Sequence, residues 1–560
     1  VALSNTTLAL FMSALDGSIV IISLPAIFRG IHLDPLAPGN IGYLLWMIMG
    51  YLLVQAVLVV TLGRLGDMYG RVRMYNAGFV VFTLGSVLLS FDPFIGGSAA
   101  LWLIGWRMLQ ALGGSMLMAN SAAILTDAFP ADQRGFALGI NQVAGLAGMF
   151  IGLVVGGILA ELDWRAIFWI NVPVGLWGTV WAYLKLRDTG ARVRARIDWW
   201  GNLTFAVGLS ALLIGITDGI HPYKDHPMGW TSPLTLVLLV GGTALLAAFV
   251  VVERNVSEPM FHLDLFRIRA FTAGNVALLA ASIARGGIQF MLVIWLQGIW
   301  LPLHGYDYAD TPLWGGIYLL PLTCGFLLAG PVSGILSDRF GARTFATAGA
   351  LVSAASFAGL LALPIDFPYW AFALLIALNG VGMGMFAAPN TAAIMSSVPA
   401  AQRGVASGMR ATFMNAGRLL SIGIFFSLMI VGLAASLPTT LAQGLQSEGV
   451  PATVARQVAS LPPVSSLFAA LLGVNPVAQL LAPSGTLRAL SPAQAHVLTG
   501  TTFFPHLIAA PFHQGLLVAF GFATALSIFA AIASLLRGSR SVVPGVVALR
   551  PREPASVKGP

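Results

Sequence analysis

Apolar runs of about twenty residues, separated by short polar turns, recur along nearly the whole chain. A helix needs roughly 20 apolar residues to cross a hydrocarbon core of about 30 Å. By that length the pattern predicts fourteen helical spans, starting near residues 6, 41, 76, 100, 135, 166, 201, 233, 270, 312, 344, 369, 404 and 512. The first run contains Asp16 and Pro25 and ends without a small-residue cleavage site, so it is expected to be a true span and not a signal peptide. One long stretch, 436–511, is left between the last two spans. Within it "VPATVARQVASL" (450–461) and "SPAQAHVLTG" (491–500) predict short helices, the second capped by Ser491 with Pro492 in its first turn. The apolar "SLFAALLGV" predicts a folded cap on the membrane or over a pore mouth; an insertion without a transport role is the alternative.

Composition agrees with a bilayer as solvent. Charged residues make up 9% of the 560, against about a quarter in soluble domains, and mean hydropathy is +0.86. The net charge of +8 raises the possibility of nucleic acid, but its distribution points elsewhere. Of the 29 Lys and Arg residues, 20 fall on the side of the termini, 5 on the opposite side and 4 inside spans. The densest cluster, "KLRDTGARVRAR" (185–196), follows the sixth span. That asymmetry is the positive-inside pattern and puts both termini in the cytoplasm. The basic charge is therefore assigned to topology and anionic lipid, with no nucleic-acid partner. Three lysines against 26 arginines suggest a GC-rich bacterial genome and hence a bacterial cytoplasmic membrane. A single cysteine, Cys324, excludes an intrachain disulfide and a cysteine metal site. No Gly-x4-Gly-Lys-Ser/Thr loop is present to bind ATP. No nucleophile–base or metal set appears in the spans, so neither enzyme activity nor a cofactor is expected.

An internal repeat organises the spans. "NSAAILTDAFPADQRGFALG" (120–139) matches "NTAAIMSSVPAAQRGVASG" (390–408), and "GRLGDMYGRVR" (63–73) has a weaker partner in "GILSDRFGAR" (334–343), all at offsets of 269–271. The repeat spans eight helices, so both copies share one orientation, as in transporters whose halves are related by an axis along the membrane normal. The expected division is a six-helix half (1–187), two inserted spans with linkers (188–269), spans 9–13 (270–435), the loop with short helices (436–511), span 14 (512–536) and a cytoplasmic tail (537–560).

Several stretches carry a family resemblance. "GRLGDMYGRVR" resembles motif A of the major facilitator superfamily; "LDGSIVIISLP" (15–25) is similar to the span-1 motif of its fourteen-span drug:proton antiporters. "RMLQALGG" (107–114) resembles motif B, with Ala111 where Gly is usual. "GMFIGLVVGG" (148–157) resembles the antiporter motif C, with Leu153 where Pro is usual, and "DWRAIFWINVPVG" (163–175) resembles the segment that follows it. The resemblance implies an all-α polytopic fold of two six-helix halves plus two inserted helices, driven by a proton gradient without a cofactor.

Candidate residues follow. Charge inside a span is costly and usually functional. Asp16, the one carboxylate near a midplane, is a candidate to load and unload a proton, with Arg107 competing for it; a permanent Asp16–Arg107 pair is the structural alternative. At the repeat offset Asp16 maps onto Arg285, so Arg285 and Gln289 are expected in the same central cavity, with Gln110 and Arg418. Four span arginines against one carboxylate favour an anionic or amphiphilic ligand, unless Arg410 and Arg418 snorkel to headgroups. In motif A, Gly63 and Gly70 allow close approach, and the resemblance implies a cytoplasmic gate in which Asp67 meets helix N-terminal amides and Arg71 or Arg73, mirrored by Asp338 and Arg339. A purely topological role is the alternative. Gly148, Gly152, Gly156 and Gly157 predict a tight helix contact, and Asn120 and Asn390 helix contacts. The expected function is proton-coupled export of hydrophobic or amphiphilic compounds by a monomer in contact with membrane lipid. Alternatives are a lipid or anionic-metabolite carrier and a non-transporting sensor.

Overall fold

The computed structural model describes residues 1–34, 37, 40–130, 134–187, 197–221, 223–224, 228–256, 259–399, 402–473, 475–482 and 484–538. Parts of the 185–196 cluster, the 537–560 tail and the Asp338 side chain lie outside the described residues. Among the described residues, fourteen helices are long and apolar enough to cross a membrane, in the places where the apolar runs put them. They are α1 (Ala2–Gly30), α2 (Gly42–Tyr69), α3 (Arg71–Ser90), α4 (Gly96–Ala128), α5 (Val143–Leu162), α6 (Ala166–Lys185), α7 (Trp199–Gly219), α8 (Pro233–Asn255), α9 (Arg269–Leu303), α10 (Thr311–Ser337), α11 (Ala342–Leu361), α12 (Tyr369–Ser396), α13 (Val405–Ser447) and α14 (Phe503–Leu535).

Glycine sets how closely these helices cross. A Cβ on Gly113 of α4 would lie 2.7 Å from the Gly78 carbonyl oxygen of α3, and one on Gly382 of α12 would lie 2.7 Å from the Gly349 oxygen of α11. The same crossing therefore occurs in both repeats. The turns before α3 and α11 also match: Gly70 and Gly341 hold φ of 112° and 93°, a region that side chains with a Cβ disfavour. In the first six helices α1 packs on α5, and α4 on both α2 and α3; in the last six α12 packs on α10 and α11, and α9, α13 and α14 on one another. The two sets meet along α2–α13 and α5–α10. The hairpin α7–α8 lies outside them, with α7 touching both α2 and α13.

Two helix ends depart from the expected boundaries. Helix 403–447 is 45 residues long, about 67 Å at 1.5 Å per residue and twice a hydrocarbon core. With α14 starting at Phe503, the connection shrinks to 448–502. It is built of short helices, and every residue of Pro463–Leu471 is buried. Phe468 stacks on Phe426 of α13 at 5.5 Å, and Gly298 of α9 closes on the Ala470 backbone. The predicted helix at Pro492–Thr499 is present, with a complete Ser491–Gln494 capping box.

Candidate functional site

Helices α1, α4 and α6 converge on Asp16. Asp16 and Gln110 are fully buried, and Arg107 is 2% exposed. Arg107 Nη1 donates to Asp16 Oδ2 at 2.5 Å and to Gln110 Oε1 at 2.6 Å. Gln110 Nε2 donates to Asp16 Oδ1 at 2.9 Å and to Ser86 Oγ at 2.8 Å, and Asn171 Nδ2 donates to Asp16 Oδ1 at 2.8 Å. The guanidinium lies 4.3 Å over the Tyr51 ring. A buried ion pair offsets its desolvation only when its other polar atoms are also satisfied. The Asp16 carboxylate meets that condition with three donors, while Arg107 Nε has no partner.

A second feature lies between the halves. A cavity with about 30 Å³ of open space is bounded by Met149 and Phe150 of α5 on one side and by α9–α12 on the other, with Arg285, Gln289 and Asn379 as its polar lining. Asp16 does not line it, nor do Gln110 or Arg418. Gln110 belongs to the Asp16 network, and Arg418 sits at the α9–α13 contact, where Gly286 lies against its backbone. Asp16 and Arg285, expected to share one cavity, thus occupy different places. Among the described residues, Arg285 Nε and Nη1 and Asn379 Nδ2 are buried without partners, and no carboxylate lines the cavity. These buried, unpartnered atoms are donors, so a ligand head that brings acceptors satisfies them.

The glycine stripe seats α5 against α1. A Cβ on Gly148 would fall 2.2 Å from the Phe11 carbonyl oxygen, and Gly152 and Gly156 are equally close to Leu15–Ile22. Gly157 points across the seam onto Leu313 of α10, while Gly316 of α10 closes on the Leu153 backbone. The motif-C leucine therefore stands where the halves touch.

In motif A, Arg71 bridges two carboxylates: Asp67 at 2.8 Å and Asp127, at the end of α4, at 2.7 Å. All three belong to the first half. Arg73 and Arg339 are exposed. Gly63 has ordinary contact distances, whereas a Cβ on Gly66 would fall 1.8 Å from Asn120 Oδ1, so Gly66 is the glycine that needs to be one. Asn120 and Asn390 make helix contacts, Asn390 by donating to the Gly274 oxygen at 3.2 Å.

Sequence reasoning missed Asn171, Ser86, Tyr51 and Asp127. Asn171 stands inside the quoted "WINVPVG", but an uncharged amide in an apolar run gives little signal. Asp127 lies in the first repeat copy, and the second has Ser397 there, so the repeat conceals it.

A family profile described as Major Facilitator Superfamily matches residues 6–422. The chain belongs to that superfamily. It is 32% identical over 457 residues to the multidrug resistance protein Stp of Mycobacterium tuberculosis, covering 81% of this chain and 79% of Stp. It is 30% identical over 427 residues to the riboflavin transporter RibZ of Clostridioides difficile, covering 75% of this chain and 86% of RibZ. The fold resembles that of a bacterial homologue of the human lysosomal transporter Spinster in an inward-facing, unoccupied conformation, with a TM-score of 0.58 at 14% identity, covering 96% of this chain and 98% of that one. The protein is thus a multi-pass membrane protein of a transporter family, with fourteen candidate spans among the described residues and relatives in multidrug resistance. Its family and fold are those of transporters and not of enzymes.

Proposed function

We propose that the protein is a proton-coupled secondary transporter of the bacterial cytoplasmic membrane that exports amphiphilic compounds by alternating access, with both termini cytoplasmic. The carrying observation is the buried Asp16 set, where one carboxylate is shared by Arg107, Gln110 and Asn171. A proton on Asp16 turns the ion pair into a neutral acid beside a free guanidinium, and this changes the balance of forces holding α1 to α4. No cofactor is needed: the proton gradient supplies the energy.

The cavity supports the substrate side of the reading. It is largely apolar, lies between the halves and has a few converging polar groups, as small-molecule sites do. Its open volume of about 30 Å³ holds only a water or two, so it has to widen as a substrate enters. The unpartnered Arg285 and Asn379 donors favour an amphiphile with an acidic or carbonyl head. That feature also supports the second reading, a carrier of an anionic metabolite or lipid, and a riboflavin transporter stands among the relatives.

Proteoliposomes separate these readings. An imposed proton gradient should drive amphiphile movement, and the same substrate flux should carry protons in the absence of an imposed gradient. Substrate movement that neither responds to nor moves protons would overturn the coupling. Failure of every amphiphile alongside transport of small organic acids would favour the metabolite carrier.

A further inference from the structure

The inserted hairpin carries a carboxyl pair that the transport site does not use. Asp198 caps α7, its Oδ1 accepting from Gly201 N at 2.7 Å. Glu253 lies in the last turn of α8, and its Oε2 accepts from Phe261 N in the linker to α9 at 2.9 Å. The two side chains are 4% and 3% exposed. Their other oxygens, Asp198 Oδ2 and Glu253 Oε1, are buried without partners. Both converge on one point: a Cβ on Gly201 would lie 2.3 Å from the first and 2.6 Å from the second. Gly201 is the residue that leaves this space open.

No ion pair reaches either carboxyl among the described residues. Among the described residues, the charged groups on the surrounding elements are engaged elsewhere or turned outward. Arg64 of α2 donates to the Pro259 oxygen at 3.3 Å, and Arg254, Asp264, Arg267 and Arg269 are exposed. His262 is partly exposed, and Arg410 of α13 donates to Thr391. Two anionic oxygens facing each other in a buried space repel, and neither has a donor among the described residues. A single proton between them satisfies both.

The pair also holds a strategic position. Asn202 joins Asp198 to α2: its Nδ2 donates to the Asp198 backbone oxygen at 2.7 Å, while its Oδ1 accepts from Thr61 of α2. Phe261, fixed by Glu253, packs on Phe413 of α13 at 5.7 Å, as does Phe266 at 6.0 Å. Between these attachments α2 meets α13 directly, where Gly408 lies 3.5 Å, measured from its would-be Cβ, from Val60.

We propose that Asp198 and Glu253 form a proton-binding site, separate from Asp16, that clasps the inserted hairpin across the cytoplasmic seam between the two halves. With one proton between Oδ2 and Oε1 the clasp is closed. Transfer of that proton to water leaves two carboxylates that push apart, draws Glu253 off the Phe261 amide and frees α2 from α13. That the seam opens rests on the transport reading; that the pair holds a proton does not.

Infrared difference spectroscopy of the full chain in nanodiscs tests the site. An Asp16→Asn background should show a protonated-carboxyl band that disappears as pH is raised. Glu253→Gln and Asp198→Asn should each abolish it; Asn retains the helix cap, so folding is preserved. Bands unchanged in both variants overturn the proposal. So does loss of the wild-type band on adding sodium or potassium at fixed pH, which would make this a cation site. The clasp is read by disulfide formation between Val60→Cys and Gly408→Cys in a Cys324→Ser background. Yield should fall with rising pH in the parent. With Glu253→Gln, whose amide N–H takes the place of the acid proton, it should stay high and pH-independent. A yield that falls equally with rising pH in both overturns the clasp, whether or not any substrate is transported.

Discussion

Asp16 has three hydrogen-bond donors and Arg107 has one counterion, so the pair is unequal in what each partner loses on substitution. In Asp16→Asn the amide keeps an acceptor for Gln110 and Asn171, but Arg107 is left buried and uncompensated. Breaking a buried pair this way costs about 3–5 kcal/mol. Asp16→Asn should therefore lose both proton-driven transport and thermal stability. Asp16→Asn/Arg107→Gln should recover most of the stability without recovering the coupling. Thermal unfolding in detergent together with pH-gradient-driven efflux gives both readouts, and efflux persisting in either variant would remove Asp16 as the coupling site. At this scale, scarcity was the legible signal: one carboxylate in apolar spans needs a partner, and among four span arginines Arg107 is the candidate to compete for it. Asn171, Ser86 and Tyr51 were not legible, because neutral polar groups in membrane helices are common and their partners come from chain neighbours far away in sequence. Gln110, assigned to the cavity, instead turns toward Asp16, a rotation about α4 that spacing alone does not fix.

Helix positions were readable because the bilayer imposes a length, and the fourteen apolar runs had to meet it. Helix ends were not, since beyond the hydrocarbon core a helix continues for as long as its own packing sustains it. That is how α13 reaches Ser447 and why the described part of the 448–502 connection packs against Gly298 and Phe426. The glycine stripe was legible from its spacing, and the structure shows what the spacing is for: backbone-to-backbone approach of α5 to α1. Gly148→Ala would drive a methyl to 2.2 Å from the Phe11 oxygen, and the two helices would have to separate. Overpacking of this kind costs about 1–3 kcal/mol, so Gly148→Ala should lower the unfolding temperature. Gly17→Ala, also in α1 but with nothing near its Cβ position, should be neutral or slightly stabilising. Equal melting temperatures for the two variants would show that the α1–α5 contact can relax at no cost.

The two-half plan was visible in the repeat, but the seam was not, because residues that meet across it share no sequence relation. Motif A illustrates the limit: the charges expected to close a gate between halves form a bridge inside one half, Asp67–Arg71–Asp127. These groups are partly exposed, and such pairs contribute about 0–1 kcal/mol. Asp67→Asn and Asp127→Asn should then leave stability nearly unchanged while shifting the inward-facing population a few-fold, read by cysteine accessibility from each side in a Cys324-free background. Unchanged accessibility would return motif A to a topological role. The cavity belongs to the whole molecule, since Met149 and Phe150 face Arg285 only when the halves are together. Arg285 Nε and Nη1 lie buried there without acceptors, and the adjoining Asn379 amide is in the same condition. A ligand head that brings acceptors recovers the desolvation cost of those donors, and a neutral apolar body does not. Arg285→Ala should thus weaken acidic amphiphiles by about tenfold or more, the scale of a charge-assisted hydrogen bond, and leave uncharged ones of the same shape nearly unaffected. Arg285→Lys should rescue only part of the loss, because a point charge lacks the planar fork. Competition binding with matched acid, amide and hydrocarbon ligands decides it: equal losses for all three would make Arg285 a structural residue, and the preference for acidic heads would fall with it.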